Sequence, residues 1–173
     1  MELSVNKVQR AMENFIDKGN YQYCPGKYMF DYISDPDYVY ICIETHYIIR
    51  VPVEFAPQLL SVNNHPAIRT DINMERLITT VVNDDEATDY KMEEIRVLTG
   101  DKPVVAFTNE DGDTILIDKK FFEQFYNKPI TKYGVPDNIT FTGLSGKYSY
   151  KSPLVMWQDD EAIAVFMPIN PNV

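Results

Sequence analysis

The stretch PLVMWQDDEAIAVFMPI, residues 153–169, decides the fold of this chain. It holds two apolar runs, residues 154–157 and 162–167, on either side of the acidic turn Asp159-Asp160-Glu161. Two short apolar runs around a polar turn predict a β-hairpin. Because both runs are almost continuously apolar, we expect burial on both faces, or on one face with a partner covering the other.

Outward from this hairpin, strand patterns outnumber helical ones. Strands follow strands without regular alternation with helices, which predicts an α+β fold with a largely antiparallel sheet and a few short helices. The length of 173 residues suits a single domain over residues 1–173. Within it, residues 1–44 read as an extension made of a helix and an aromatic hairpin, and residues 45–173 as the main body. Helices are predicted at residues 4–18, 53–60, 72–82 and 118–126, and strands at residues 28–33, 38–44, 47–51, 90–98, 103–108, 114–117, 138–142 and 147–151.

Several local signals set the ends of these elements. Ser4 and Asp118 are suited to cap the helices that follow them, and Pro57 limits its helix to about two turns or kinks it. Residues 109–113, reading NEDGD, form the clearest local hairpin signal of the chain. Gly112 stands too early in this stretch for a calcium loop, and no closing Glu follows, so a hairpin turn is the preferred interpretation.

The composition places the chain among ordinary globular proteins. Cys24 and Cys42 are its two cysteines, so a disulfide framework is not expected, and the reducing cytoplasm is the predicted location. The sequence shows neither a secretory leader nor a run of membrane-spanning length, so no membrane partner is expected.

Negative charge is concentrated in one segment. The formal net charge is −10, and residues 84–113 hold ten acidic residues against three basic ones. This balance argues against direct binding to a phosphate backbone, which needs a positive footprint. The segment is either a solvated surface or an acidic face that meets a basic partner or imitates nucleic acid. The candidate acidic face consists of Asp84, Asp85, Glu86, Asp89, Glu93 and Glu94.

Catalytic and metal-binding patterns are not found. His46 and His65 are the two histidines, and neither has a ligand partner three or four residues away. Residues 143–147, reading GLSGK, lack the frame of a phosphate-binding loop and its helix. We therefore predict no catalytic residue, no metal and no cofactor, and a protein that is not an enzyme.

Residues 118–167 resemble a domain of the bacterial DNA polymerase sliding clamp, and the resemblance as a whole covers residues 45–170. In that family a strand enters a helix through a motif like N-x-x-Y-L-L, and the last domain ends in S-P-V-L-I, an acidic turn and Y-V-V-M-P-M. The matching text here is ILIDKKFF at residues 115–122, SPLVM at 152–156 and VFMPI at 165–169. Residues 48–60, a strand entering Val-Pro and a helix, are similar to the first half of the same duplicated unit.

The resemblance implies a clamp-like domain with a hydrophobic cleft for short peptides of partner proteins. Carried over residue by residue, Phe121, Met167, Pro168 and Ile169 would line that cleft; the alternative is that these four side chains only fill the core. Two departures count against DNA sliding: the chain has room for one such domain, and the helix predicted at residues 53–60 carries no Lys or Arg.

Three functions follow as hypotheses. The first is a non-enzymatic protein-binding factor of DNA replication or of a phage or mobile element, acting through the clamp-like cleft. The second is an acidic inhibitor that imitates DNA and occupies a basic groove on a host nucleic-acid-binding protein. The third is a small enzyme whose site the sequence does not reveal. The edge of the last strand was also suited to pair with a second copy of the chain.

Overall fold

A single antiparallel sheet dominates the computed structural model, which describes residues 2–17, 28–31, 37–43, 47–55, 57–59, 84–98, 100–146 and 151–170. It has nine strands in the order β1-β2-β3-β9-β8-β7-β4-β5-β6, and every pair of neighbours is antiparallel. The α+β fold class predicted from the sequence is confirmed. The strands are β1 Tyr28–Asp31, β2 Tyr38–Ile43, β3 Tyr47–Pro52, β4 Ala87–Leu98, β5 Lys102–Thr108, β6 Thr114–Asp118, β7 Ile139–Leu144, β8 Leu154–Gln158 and β9 Glu161–Phe166.

The predicted C-terminal hairpin is confirmed as β8 and β9, and it lies inside the sheet. Asp159 and Asp160 form its turn with positive φ angles of 49° and 67°, a conformation that Asp tolerates better than most residues. β3 pairs with β9 through residues 47–49, and β7 pairs with β8. The sequence suggested that the last strand is an edge open to a second copy. The structure differs, because β3 pairs with residues 164–166 of β9.

The main core lies on one face of this sheet and is called the central cluster below. Leu154 and Met156 of β8 belong to it, whereas Val155 between them faces the other way, as strand alternation requires. Val155 is nevertheless buried beside Val165, so the hairpin is covered on both faces, as its apolar sequence predicted. The centre of the cluster is aromatic and consists of Phe107, Phe122, Phe141 and Phe166.

The N-terminal residues contribute to the same core. Helix α1, Val5–Asp17, begins as predicted at Ser4, whose Oγ accepts a hydrogen bond from the N–H of Lys7 at 3.4 Å. Val5 and Val8 of α1 pack in the central cluster, and β1 and β2 extend the sheet next to β3. The segment interpreted as an extension, residues 1–44, thus supplies both a helix and strands to this structure.

The structure agrees with one helical prediction in the middle of the chain, does not describe another, and adds a short helix that was not predicted. Of the helix predicted at residues 53–60, the described residues form a 3₁₀ turn, Val53–Phe55, and a helical turn at residues 57–59, in agreement with the limit set by Pro57. The helix predicted at residues 72–82 lies outside the described residues, as do residues 147–150 of the strand predicted at 147–151. An unpredicted short helix, α3 (Ile130–Tyr133), follows Pro129 and ends at Gly134, whose φ is 89°.

Helix α2, Lys119–Glu123, is shorter than predicted. Asp118 caps it by accepting a hydrogen bond from the N–H of Lys120 at 2.9 Å, which confirms the predicted cap. The helix does not reach Tyr126, because the chain leaves it to pair with the N-terminus. The N–H of Ser4 donates to the carbonyl of Phe125, and Leu3 forms a β-bridge with Tyr126.

Residues 109–113 form the predicted hairpin turn between β5 and β6. Gly112 has a φ of 84° and donates its N–H to the carbonyl of Asn109. The carboxylate Oδ2 of Asp113 accepts hydrogen bonds from the N–H of Gly146 at 2.8 Å and from Nδ2 of Asn109 at 3.1 Å. These bonds favour the charged form, so they hold the pKa of Asp113 below its usual value.

We expect Asp113 to make stability dependent on acid. Because its pKa is lower in the folded than in the unfolded protein, its contribution is present above about pH 4 and is lost as the pH falls through the folded pKa. Urea unfolding of wild type and Asp113→Asn at a series of pH values should give a difference that is constant at neutral pH and shrinks in acid. Asp111→Asn removes a carboxylate from the same turn without removing these bonds, and an identical acid response of both variants would contradict this account.

Candidate functional site

The four residues of the predicted cleft are divided between two parts of the structure. Phe121 is half-buried and packs against the central cluster. Ile169 packs on the opposite face of β5 and β6, against a small second group that we call the outer cluster. The buried members of the outer cluster are Val104, Ala106 and Leu116, and Leu98 and Ile169 cover them.

The C-terminal segment, residues 167–170, covers β6. The N–H of Ile169 donates to the carbonyl of Leu116 at 2.7 Å, which fixes the segment against this strand. Pro168 and Ile169 are half-buried, whereas 42% of Met167 is exposed. Ile169 therefore fills the outer cluster, and Met167 is the member of the predicted set that offers an apolar surface to a partner.

The predicted acidic residues occupy the start and the outer side of β4. Asp84 is half-buried and holds a turn, since its Oδ1 accepts the N–H of Glu86 at 2.9 Å. Tyr90 is buried in the central cluster, and neighbouring residues of a strand face opposite sides of the sheet. Asp89 therefore faces the outer side. Asp85, Glu86, Asp89, Glu93 and Glu94 are all exposed.

Folding adds a further carboxylate to this surface. Glu93, Glu94 and Glu110 line one depression of about 460 Å³, together with Arg96 and residues of the β5–β6 turn. The Nε of Arg96 lies 2.7 Å from Oε1 of Glu94, and Oε1 of Glu93 accepts the hydroxyl of Thr108 at 2.8 Å. The depression thus holds three carboxylates against one guanidinium, and it joins two segments that are separate in sequence.

β4 also has a side without a neighbouring strand. β7 pairs with β4 only over residues 87–90, whereas β5 pairs with β4 over residues 91–98. Beyond Tyr90, no strand of the described part of the chain lies on the side of β4 that faces away from β5. We call this side, over residues 91–98, the β4 edge. Edges of this kind present unpaired backbone N–H and C=O groups.

Two apolar side chains stand exposed along the β4 edge. Ile95 is 46% exposed and Val97 is 66% exposed. These are the two highest exposures among the described Ile, Leu and Val residues. An irregularity between Met92 and Glu94 shifts the register, so Ile95 and Val97 share the side of the central cluster while lying beyond it. Neither residue was predicted from the sequence, because the irregularity breaks the alternation of β4. The sequence pattern from which they could have been predicted is the apolar residue on each side of Arg96.

The residues considered for metal and nucleophile chemistry lie mostly outside the described part of the chain. Among the described residues, no group of three or more His, Cys, Asp or Glu side chains could hold a metal ion. His46, His65 and Cys24 lie outside the described residues. Gly146, in the Gly-rich turn, donates its N–H to Asp113 instead of offering it to a phosphate. None of the helices described is long and apolar enough to span a membrane.

Comparison with known proteins gives no relative for this chain. No family model, no curated protein and no solved structure matches it. The proposals below therefore rest on the described residues alone.

Proposed function

We propose that this protein is a non-enzymatic binding protein whose β4 edge takes an extended, positively charged segment of a partner protein. The observation that carries the proposal is that, among the described strands, none pairs with one side of β4 over residues 91–98. An extended segment that adds to such an edge gains backbone hydrogen bonds, and its alternate side chains meet the two faces of the sheet.

The side chains of β4 support a partner of mixed character. On one face of the edge, Ile95 and Val97 are exposed and offer apolar contact. On the other face, Glu93, Glu94 and Glu110 surround a depression. A segment that alternates apolar residues with Lys or Arg matches both faces. Its apolar side chains meet Ile95 and Val97, and its cations meet the glutamates.

Charge further favours a basic partner over nucleic acid. The chain carries a net charge of −10, and Asp85, Glu86 and Asp89 are exposed at the start of β4. Such a surface attracts cationic partners over distances comparable to the Debye length, about 10 Å at 0.1 M salt. A basic groove of a nucleic-acid-binding protein is one partner of this chemistry, which keeps the DNA-mimic hypothesis within the same proposal.

A synthetic peptide tests the β4 edge. The hexapeptide Ac-Lys-Val-Lys-Val-Lys-Val-NH₂ should bind the wild type and lose affinity roughly ten-fold when Glu93 and Glu94 are both changed to Gln, because two charge contacts are removed. Ile95→Lys with Val97→Lys should also weaken binding, since it places two cations at the edge. The measurement is titration calorimetry at low and high salt, with folding of each variant checked by its unfolding transition.

Two controls make this test specific. Asp159→Asn with Asp160→Asn removes the same number of charges from the β8–β9 turn, where Asn also tolerates the positive φ angles. Equal losses in this variant and in the Glu93/Glu94 variant would reduce the effect to net charge and contradict the proposal. Wild type that associates with itself through Ile95 and Val97, and does not bind the peptide, would show that a second copy occupies the edge, and would also contradict it.

The C-terminal segment supports a second candidate function. Met167 is 42% exposed next to the half-buried Pro168, and Met is an adaptable contact for varied apolar ligands. Under this candidate the protein is a clamp-like factor of DNA replication, of a phage or of a mobile element, and it takes an apolar peptide. Loss of partner binding in Phe121→Ala with Met167→Ala, with full binding retained in the β4 variants, would favour this candidate over the first.

A further inference from the structure

A cavity of about 310 Å³ opens where β3 and β9 separate. The pairing of these strands ends at Ile49 and Ala164, and the two chains diverge beyond that point. The N-terminus enters from the side and contributes Leu3 and Val5 to the wall. The cavity is distinct from the β4 edge, since it shares no lining residue with the depression beside that strand.

Arg50 is the cation of this cavity, and it is nearly buried. Its side chain is 11% exposed, and its guanidinium lies 3.9 Å above the centre of the Tyr38 ring. Nη1 of Arg50 lies 3.0 Å from Oε2 of Glu161, a residue whose side chain is 63% exposed. Within the described residues, Glu161 is the one hydrogen-bond acceptor for Arg50, although a guanidinium carries five N–H groups. Among the described residues, the guanidinium therefore has N–H groups without a protein acceptor, and it lies beside an open volume.

The other walls combine apolar surface with polar groups. Pro52, Phe55 and Ile163 are apolar members of the lining, and Tyr126 and Gln158 are polar ones. Glu2 also belongs to the lining, as an exposed residue. Burial raises the pKa of the Tyr126 hydroxyl far above its usual value, and the nearby charge of Arg50 opposes this shift only in part. The hydroxyl therefore stays neutral and able to donate. A concave, mainly apolar site with a few convergent polar groups is the usual form of a small-ligand site.

We propose that this cavity binds a carboxylate carried on a compact apolar or aromatic group, with Arg50 holding the carboxylate. Arginine suits this role because its planar fork donates two parallel hydrogen bonds to a carboxylate. Tyr38 fixes the plane of the guanidinium from one side, and Pro52, Phe55 and Ile163 receive the apolar group. Glu161 competes with the ligand for Arg50 at the rim. A free small acid and the C-terminal residue of a peptide share this chemistry.

Three probes test the site and separate the two sources. 3-Phenylpropionate represents a free acid, N-acetyl-L-phenylalanine represents a peptide C-terminus, and N-acetyl-L-phenylalanine amide is the neutral control. Binding is followed by titration calorimetry and by the methyl NMR signals of Ile163. At least one of the acids should bind and shift these signals, and the amide should bind at least roughly ten-fold more weakly, since it lacks the charge that Arg50 pairs. The stronger of the two acids identifies the source; equal binding of acid and amide, or no binding of either acid, overturns the proposal.

Variants then assign the effect to Arg50. Arg50→Gln should reduce the affinity for the acid roughly ten-fold or more, and Arg50→Lys should keep part of it, because Lys retains the charge without the fork. Glu161→Gln should increase the affinity, since the competing carboxylate is gone while the residue keeps its shape. Lys102→Gln removes the cation of another ion pair, Lys102–Asp118, and should leave the affinity for the acid unchanged. Unaltered affinity in Arg50→Gln, or reduced affinity in Glu161→Gln, would contradict the role of Arg50.

Discussion

Phe122→Ala is expected to lower the free energy of unfolding by about 3–5 kcal/mol, the usual cost of removing a buried aromatic side chain. Phe122 is buried, and its ring lies within 5.3–6.1 Å of three other rings, those of Phe107, Phe141 and Phe166. These rings come from β5, β7 and β9, so one truncation loosens α2 from three strands at once. Urea unfolding should show a lower midpoint with a similar slope.

The neighbouring residue provides the matched control. Phe121→Ala deletes the same atoms one position earlier in α2, but Phe121 is only half-buried at the border of the central cluster. We expect its cost to be clearly smaller than that of Phe122→Ala. Equal costs would contradict the assignment of Phe122 as the core residue of α2 and would weaken Phe121 as a candidate for partner contact.

Ser152→Ala is expected to cost about 1–3 kcal/mol, because it removes a buried hydroxyl and leaves the backbone N–H of Leu144 without its partner. Ser152 is the buried polar residue of the described chain, and its Oγ accepts the N–H of Leu144 at 2.7 Å. The same hydroxyl lies 3.1 Å from the carbonyl oxygen of Pro153, to which it donates. The hydrogen bond between Leu144 and Ser152 joins the end of β7 to the residues just before β8. Asp84 lines the same small cavity as these two residues.

Ser145→Ala is the control for this second substitution. It makes the same chemical change in an exposed residue of the same connection, and its effect should stay within about 0.5 kcal/mol. Thermal and urea unfolding of both variants measure the difference. Equal stability of the two variants would contradict the role of Ser152 as the acceptor for Leu144.

The candidate sites show what could be predicted and what could not. The acidic segment was evident from composition, yet its depression also needs Glu110, which only the β5–β6 hairpin brings to Glu93 and Glu94. The exposure of Ile95 and Val97 follows from where β7 stops pairing with β4, which no local pattern of residues states. The Arg50 cavity brings together Arg50 and Glu161, which are 111 positions apart, and no local pattern of residues predicts it.

By itself the sequence determined the α+β class, the hairpins around residues 109–113 and 159–161, and the caps at Ser4 and Asp118. These features depend on alternation, turn chemistry and capping, which act within a few residues. Only the tertiary structure decided that β3 lies beside β9, that α2 ends at Glu123, and that no described strand pairs with one side of β4 over residues 91–98. Each of these depends on which distant segments pack together and on the backbone hydrogen bonds that they offer one another, and local sequence signals carry no information about that choice.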